Sequence, residues 1–336
     1  MLWIAVDAMG GDFAPRPVVD GALAAARHID LGVALVGRRV VIDAELRRHP
    51  DLDPARLRVV DAPDVVAMDE APSAALRRKP GASIRVAAQM VASGDAAALF
   101  SAGHTGATVM AAHAAFGMLP GVDRPALAAT VPTPEHPAVL LDVGASVESR
   151  PQHLLQFAVM GSVYARIAFG IERPRVGLLS IGEEASKGNE LTRDAHRLLK
   201  ASALAFTGNV EARDVYAGQA DVIVCDGFTG NVALKISEGL VDVVETMLTE
   251  ELSRTVTTRV GSLLTRRALR HFRRRVDYSE YGGAPLLGVA GVAIVGHGRS
   301  SAKAVRNAVA MAYRFAAERV VERIEREIAA ATVPHS

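Results

Sequence analysis

Cysteine is almost absent from this chain. A single one, Cys225, in 336 residues rules out a disulfide framework and fits a reducing compartment. Aromatic residues make up only 4% of the sequence, too few for the stacking platforms that hold single-stranded nucleic acid. Charge of one sign is lacking too: 38 Lys and Arg face 37 Asp and Glu, so no global field draws in a polyanion, and any charged partner must meet a local patch. Nucleic acid is therefore not expected as a partner. No basic segment precedes the apolar opening "LWIAVDAMGGD", which reads as a first strand and not as a secretion signal, so a cytoplasmic location is expected. One stretch without Asp, Glu, Lys or Arg, Ala96 to Val122, has the length of a bilayer span. Its interruption by "SAGHTGA" and its closure by Pro120 and Gly121 make strand, polar turn and buried helix the better reading.

Signatures of common chemistries are missing as well. No G-x-x-x-x-G-K-[ST] loop occurs, and "GHGRSS" lacks the third glycine of a dinucleotide fingerprint. The ten histidines lack the two-His helix spacing of zinc hydrolases, and no G-x-S-x-G elbow is present. Neither metal nor organic cofactor is expected.

What is present is one repeated unit. Apolar runs such as "GVALVG", "AALFSAG", "AVLLDVGA" and "RVGLLSIG" are each followed by a helical pattern. Strands apolar throughout, alternating with helices, predict an α/β fold with a mostly parallel sheet covered on both faces. Half the residues are apolar, enough for a large core, and a single α/β domain over residues 1–336 is expected.

Polar residues gather where these strands end, the edge at which open α/β sheets bind ligands. The corners are "VDAMGGD" with Asp7, Gly10, Gly11 and Asp12; "SAGHTG" with Ser101, Gly103, His104, Thr105 and Gly106; and "DVGAS" with Asp142, Gly144 and Ser146. Further on come "SIGEEASKGNE" with Glu183, Lys187 and Asn189, "TGNVEARD", "CDGFTGN" with Asp226, Gly227, Thr229 and Gly230, and "VGHGRSS" with His297, Gly298, Arg299, Ser300 and Ser301. Glycine turns and helix starts offer backbone N–H groups and partial positive charge, so a cleft bounded by them should hold an anion. Lys187 and Arg299 add full charges, and Asn231 and Lys235 share a helix face at i, i+4. Blander roles compete at several positions. Asp7, Asp142 and Asp226 can serve as helix caps, His104 and His297 as hydrogen-bonded turn residues, and Cys225 as a buried small apolar residue and not a nucleophile.

From Val232 to about Val276 the pattern changes to two helices broken near Gly261, a helical hairpin at about 240–276. At 100° per residue Arg266, Arg267, Arg270, Arg273 and Arg274 share one face of the second helix, and Leu264, Ala268, Leu269 and Phe272 the other. That face is either solvated or, with Leu263 and Leu264 at the turn, a docking site for an acidic protein or an anionic membrane surface.

The set "VDAMGGD", "SAGHTGA", "GMLPGVDRPALA", "LLDVGAS", "PQHLLQFAVMGSVYA", "VGLLSIGEEASKGNE", "CDGFTGNVALK" and "DYSEYGGAPLLGV" resembles the bacterial phosphate acyltransferases of phospholipid synthesis, acyl-ACP:phosphate transacylases, along essentially the whole chain. The resemblance implies a three-layer α/β/α sandwich related to phosphate acetyltransferases and isocitrate dehydrogenases. It also implies a homodimer that needs no metal and associates with the membrane surface. The reaction implied takes long-chain acyl-ACP and inorganic phosphate to acyl phosphate, which feeds acylation of glycerol 3-phosphate. Three positions depart from the family pattern, with His104, Ser146 and Ala290 standing where asparagine is usual. A more distant likeness of "GHGRSSAKAV" to phosphate acetyltransferases marks Arg299, Ser300 and Ser301 as phosphate ligands.

The chemistry asks little of a general base. Phosphate near neutral pH is already partly dianionic, so the demands are alignment and stabilisation of a tetrahedral oxyanion. On this reading "SAGHTG" and "GHGRSS" hold phosphate, Asn231 or a backbone amide holds the carbonyl oxygen, and Lys235 or Lys187 offsets charge and protonates the departing thiolate. Two other readings stay open: a phosphate acetyltransferase-like enzyme using acyl-CoA, and a nonenzymatic module binding lipid or acyl carrier.

Overall fold

The computed structural model describes residues 1–51, 53–255, 257–258, 260–267 and 282–332. Each apolar run anticipated as a strand is one, but the strands divide between two sheets. The first takes β1 (Leu2–Asp7), β2 (Leu31–Gly37), β3 (Leu57–Asp61), β4 (Ala98–Ser101), β5 (Ala126–Leu127), β11 (Ala284–Leu287) and β12 (Val292–Val295), in the order β3-β2-β1-β4-β12-β11-β5. The second takes β6 (Ala129–Val131), β7 (Ala138–Leu141), β8 (Arg175–Ser180), β9 (Ala205–Glu211) and β10 (Val222–Val224), in the order β6-β7-β10-β8-β9. Pairing is parallel except where β11 meets β12 and β5 and where β6 meets β7. Only Ala128 separates β5 from β6, so the chain passes from one sheet to the other in a single residue.

Because side chains alternate across a strand, each sheet carries two apolar faces. In the first, Ile4 and Val6 pack with α1 (Arg16–His28) and α9 (Ala302–Ala317), while Ala5 and Leu99 face α4 (Ser83–Ala92) and α5 (Thr105–Phe116). These are the layers of an α/β/α sandwich. The helix α6 (Pro151–Phe169) is buried almost continuously from His153 to Ala165 and lies in the same core as β7 and β10. Gly161 permits that approach, since a Cβ there would stand 2.5 Å from Val222 and 2.8 Å from Leu141. Phe157 and Tyr164 are fully enclosed, and burying each such side chain contributes about 2–3 kcal/mol. The Tyr164 hydroxyl bonds Thr130 at 2.6 Å, and burial pushes its phenol up to about 12, so it stays neutral in the core.

One local expectation holds and two change. The uncharged run 96–122 is β4, a polar turn and α5, and no helix among the described residues is long and apolar enough to cross a membrane. "TGNVEARD" is not wholly a strand end, because β9 continues through Gly208 and Val210 to Glu211. Helix α8 runs from Gly227 to Ser253, so the helical segment begins ahead of Val232, and the break falls at residues 254–255 and not near Gly261. Gly261 sits within a helical stretch, 260–267, where nothing crowds its Cα. Leu263, Leu264, Arg266 and Arg267 are exposed on that stretch, whereas Arg270, Arg273 and Arg274 lie outside the described residues.

Candidate active site

The first sheet brings three corners together. Asp7 ends β1 almost fully buried, and its carboxylate accepts from Ser101 Oγ at 2.7 Å and Met9 N at 3.2 Å. Ser101 Oγ in turn accepts from Gly103 N at 3.1 Å. A Cβ on Gly10 would stand 2.7 Å from both the Asp7 carboxylate and Gly103 N, so only glycine lets the two turns interlock. Asp12 N donates to Gly298 O at 2.7 Å and locks the third corner, after β12, onto the first. Burial raises the Asp7 carboxyl above its ordinary value against the pull of these hydrogen bonds. Asp7, Gly10, Ser101 and Gly103 therefore build the frame behind the site and do not line it.

The second sheet repeats the device. Asp142 is fully buried beyond β7 and accepts from Gly144 N and Ala145 N at 3.0 Å, Ser146 N at 2.6 Å and Leu127 N at 2.8 Å. Burial raises this carboxyl also, with the four N–H donors opposing. The bond to Leu127 matters most, because Leu127 belongs to the first sheet and the contact pins the two sheets together. Asp226 caps α8, accepting from Thr229 N at 2.9 Å and Thr229 Oγ1 at 2.7 Å. Cys225 is buried beside them, and burial followed by the charges of Asp226 and Asp142 pushes its thiol well up. Cys225 thus sits as a small buried residue behind the helix start and does not line the cleft.

Between the sheets opens a cleft of about 630 Å³. Its first wall is the β12–α9 corner with His297, Arg299, Ser300 and Ser301, joined by Thr105 at the start of α5. Its second wall is α8, which presents Asn231, Lys235, Glu238 and Asp242, and Val143 of the Asp142 turn. Leu127, Ala129, Val295, Ala304 and Ala308 add apolar surface to the lining. Asn231 Nδ2 donates to Val143 O at 3.0 Å, which fixes α8 against the turn. Lys235 Nζ donates to Glu238 Oε2 at 2.7 Å. Ser301 caps α9 by accepting from Ala304 N at 3.2 Å, Ser300 Oγ donates to His297 O at 2.6 Å, and His297 Nδ1 accepts from Arg299 N at 3.2 Å. Arg299 is exposed, and its guanidinium makes no hydrogen bond or ion pair with a described residue.

Other sequence candidates fall elsewhere. Glu183, Lys187 and Asn189 are exposed at the end of β8 and do not line the cleft; Asn189 caps α7 (Glu190–Ala201) by accepting from Thr192 N at 2.9 Å. The sheet order gives the reason: β8 lies beyond β10, one strand farther from the crossing at Ala128. His104 caps α5, with Nδ1 accepting from Gly106 N at 3.1 Å, the bond an asparagine oxygen makes at such a position. Ser146 Oγ donates to Pro125 O at 2.8 Å and lines a separate, smaller pocket. Ala290 precedes β12, at the end opposite the cleft, where its N–H meets Gly117 O at 3.0 Å. Gly11, Gly106, Gly144, Gly227, Thr229 and Gly230 shape the turns and the helix start without lining the cleft. Glu238 and Asp242 went unnoticed in the sequence, although they continue the Asn231–Lys235 face at +3 and +7 from Lys235.

This arrangement of two mostly parallel sheets with helices on their faces is a fold the chain shares with phosphotransacetylases. The phosphotransacetylase of Streptococcus pyogenes superposes with a TM-score of 0.65 at 18% identity over 94% of each chain. EutD phosphotransacetylase of Staphylococcus aureus gives 0.62 at 16% identity, again over 94% of each. Sequence places the chain more finely: it belongs to the family described as fatty acid synthesis protein, whose model matches residues 2–323. A phosphate acyltransferase of Nitratidesulfovibrio vulgaris is 52% identical over 97% of this chain and 95% of its own length. One of Acidobacterium capsulatum is 50% identical over 99% of each. The chain is thus an enzyme of the phosphate acyltransferase kind, and the nonenzymatic reading lapses.

Proposed function

We propose that the enzyme transfers a long-chain acyl group from acyl-ACP to inorganic phosphate, and that the acyl phosphate released goes on to acylate glycerol 3-phosphate in phospholipid synthesis. One observation carries the reading: an arginine beside a helix N-terminus, with no partner for its guanidinium among the described residues, lines the same cleft as a lysine, an asparagine and a set of apolar side chains. Arg299, Ser300 and the amides that open α9 suit a dianion, because cation, hydroxyl and helix dipole act in the same direction. The apolar lining suits a hydrocarbon chain, and Asn231 and Lys235 supply donors for the carbonyl between them.

In the reaction an oxygen of HPO₄²⁻ forms a bond to the thioester carbon, and the carbonyl oxygen takes up the negative charge. Asn231 and Lys235 stabilise that oxyanion; one such preorganised donor is typically worth about 3 kcal/mol in the transition state. Collapse breaks the C–S bond, the phosphate proton is lost, and the thiolate gains one from Lys235 or solvent. Acyl phosphate and free carrier thiol result, with atoms and charge in balance. Incubation with acyl-ACP or acyl-CoA plus phosphate, followed by hydroxylamine capture of acyl phosphate, tests the reading. Product chiefly from acyl-ACP is expected; equal product from acyl-CoA would favour the coenzyme as donor.

Association follows from α8. Ile236, Leu240, Val243 and Met247 are exposed on the helix face turned away from the cleft, an apolar strip suited to a second copy of this chain. Leu240→Glu should shift the sedimentation of a dimer to that of a monomer. Leu263 and Leu264, 67% and 80% exposed beside Arg266 and Arg267, suit peripheral attachment of this cytoplasmic enzyme to an anionic bilayer or to the acidic carrier. Replacing both leucines with serine should weaken flotation with anionic vesicles if lipid is the partner.

A further inference from the structure

The cleft holds two cationic side chains from the candidate set, and their surroundings differ. On α8, residues 231, 235, 238 and 242 recur at helical spacing and all line the cleft. Lys235 is joined at 2.7 Å to Glu238, whose side chain is 17% exposed, and Asp242 follows one turn later on the same face. Across the cleft Arg299 meets no acidic group among the described residues. Among the described residues, one wall is therefore a cation beside a helix N-terminus with no acidic partner, and the other is an ion pair with a further carboxylate beside it.

We infer that Glu238 is a positioning residue that keeps Lys235 out of phosphate binding and reserves it for the thioester. This rests on the acyl-transfer reading above. The physical reason is charge. A dianion is drawn to Arg299 and repelled by the Glu238 and Asp242 carboxylates, so a single anion enters at the α9 wall. An ammonium group has three N–H donors, and Glu238 engages one of them. The remaining donors address the carbonyl oxygen and then the thiolate, where negative charge develops only during reaction. Without Glu238, Lys235 would become a second phosphate site in competition with the acyl group. Holding the long lysine chain in one rotamer also removes an ordering cost from the transition state.

Equilibrium binding of inorganic sulfate, an unreactive stand-in for phosphate, at low ionic strength tests the inference apart from turnover. Glu238→Gln removes the charge with little change of shape. Sulfate should bind about tenfold more tightly, while kcat at saturating phosphate falls about tenfold. The gain in sulfate affinity should vanish in the double variant with Lys235→Met, and Glu238→Asp should stay near the wild-type affinity. In Lys235→Met alone, sulfate affinity should stay within about twofold of wild type while kcat falls, a result that does not depend on how Glu238→Gln folds. Unchanged or weaker sulfate binding in Glu238→Gln overturns the inference, as does a gain that survives in the double variant or a large loss in Lys235→Met. If the wild-type enzyme makes no hydroxylamine-trappable product, the acyl-transfer reading fails instead.

Discussion

Gly230→Ala puts the geometry of the cleft to a direct test. Gly230 lies in the first turn of α8, and a Cβ there would fall 1.9 Å from Asp142 O and 2.8 Å from Cys225 Sγ. Ordinary van der Waals separation begins near 3.4 Å, so the helix start must retreat by about 1.5 Å from backbone that cannot move aside. Asn231 follows directly and Lys235 one turn later, so both donors retreat with it. A displacement of about 1 Å in a positioning group costs about 100-fold in rate, or about 2.7 kcal/mol. Stability should suffer less. Overpacking costs about 1–3 kcal/mol, and alanine's better helix propensity returns up to about 1 kcal/mol. Acyl phosphate formation, measured by hydroxylamine trapping with urea unfolding alongside, should show kcat/KM down about 100-fold and stability down by about 1–2 kcal/mol. Gly261→Ala, also in a helical stretch but with nothing within 4 Å of its added methyl, is the control and should be neutral or slightly stabilising. Near-normal activity in Gly230→Ala with an intact fold would refute the claim that this contact sets the donors.

Arg299→Ala should raise KM for phosphate by about 10- to 100-fold, the loss of one charge-assisted contact, with a smaller effect on KM for the thioester. His104→Ala should destabilise α5 by about 1 kcal/mol in chemical denaturation, and His104→Asn should recover most of it because the amide oxygen can accept the same N–H. Asp221 offers a pH test. Burial alone would raise its carboxyl, but the hydrogen bonds and charge of Arg175, with contacts of 2.9 and 3.1 Å, outweigh burial and hold it below its ordinary value. A depressed carboxyl stabilises the fold above the unfolded value of about 3.9, and the contribution fades as pH falls through the folded value. Asp221→Asn should therefore cost about 2 kcal/mol at pH 7, with the two unfolding curves converging as the pH falls through the depressed folded value; a gap constant with pH would sink this account.

Much of the fold is legible in the sequence because strands buried on both faces leave uninterrupted apolar runs, and several end in glycine or a carboxylate. Val222 to Val224 followed by Asp226 is one instance, with the aspartate capping the helix that follows. The division into two sheets is not legible, because it turns on Ala128, one alanine between two strands of two and three residues. That division decides which corners share the cleft. Arg299 and Lys235 meet across it, while Lys187, equally plausible by composition, ends a strand too far along the second sheet. Gly261 misled as a helix breaker since its cost, about 1 kcal/mol, is small enough for a helix to run through it. Glu238 was readable from spacing alone but carries the sign of charge opposite to that sought for an anion site.

The order of strands in the first sheet bears on how the enzyme is made. Strand β4 lies between β1, from the start of the chain, and β12, from near residue 292, while the whole second sheet is inserted in the sequence between them. A growing polypeptide can thus complete the second sheet while the slot beside β4 still stands open. The arginine wall closes only when β12 and the residues just after it arrive, so pairing across so wide a sequence gap should govern maturation, and a chain not yet extended through β12 is inert.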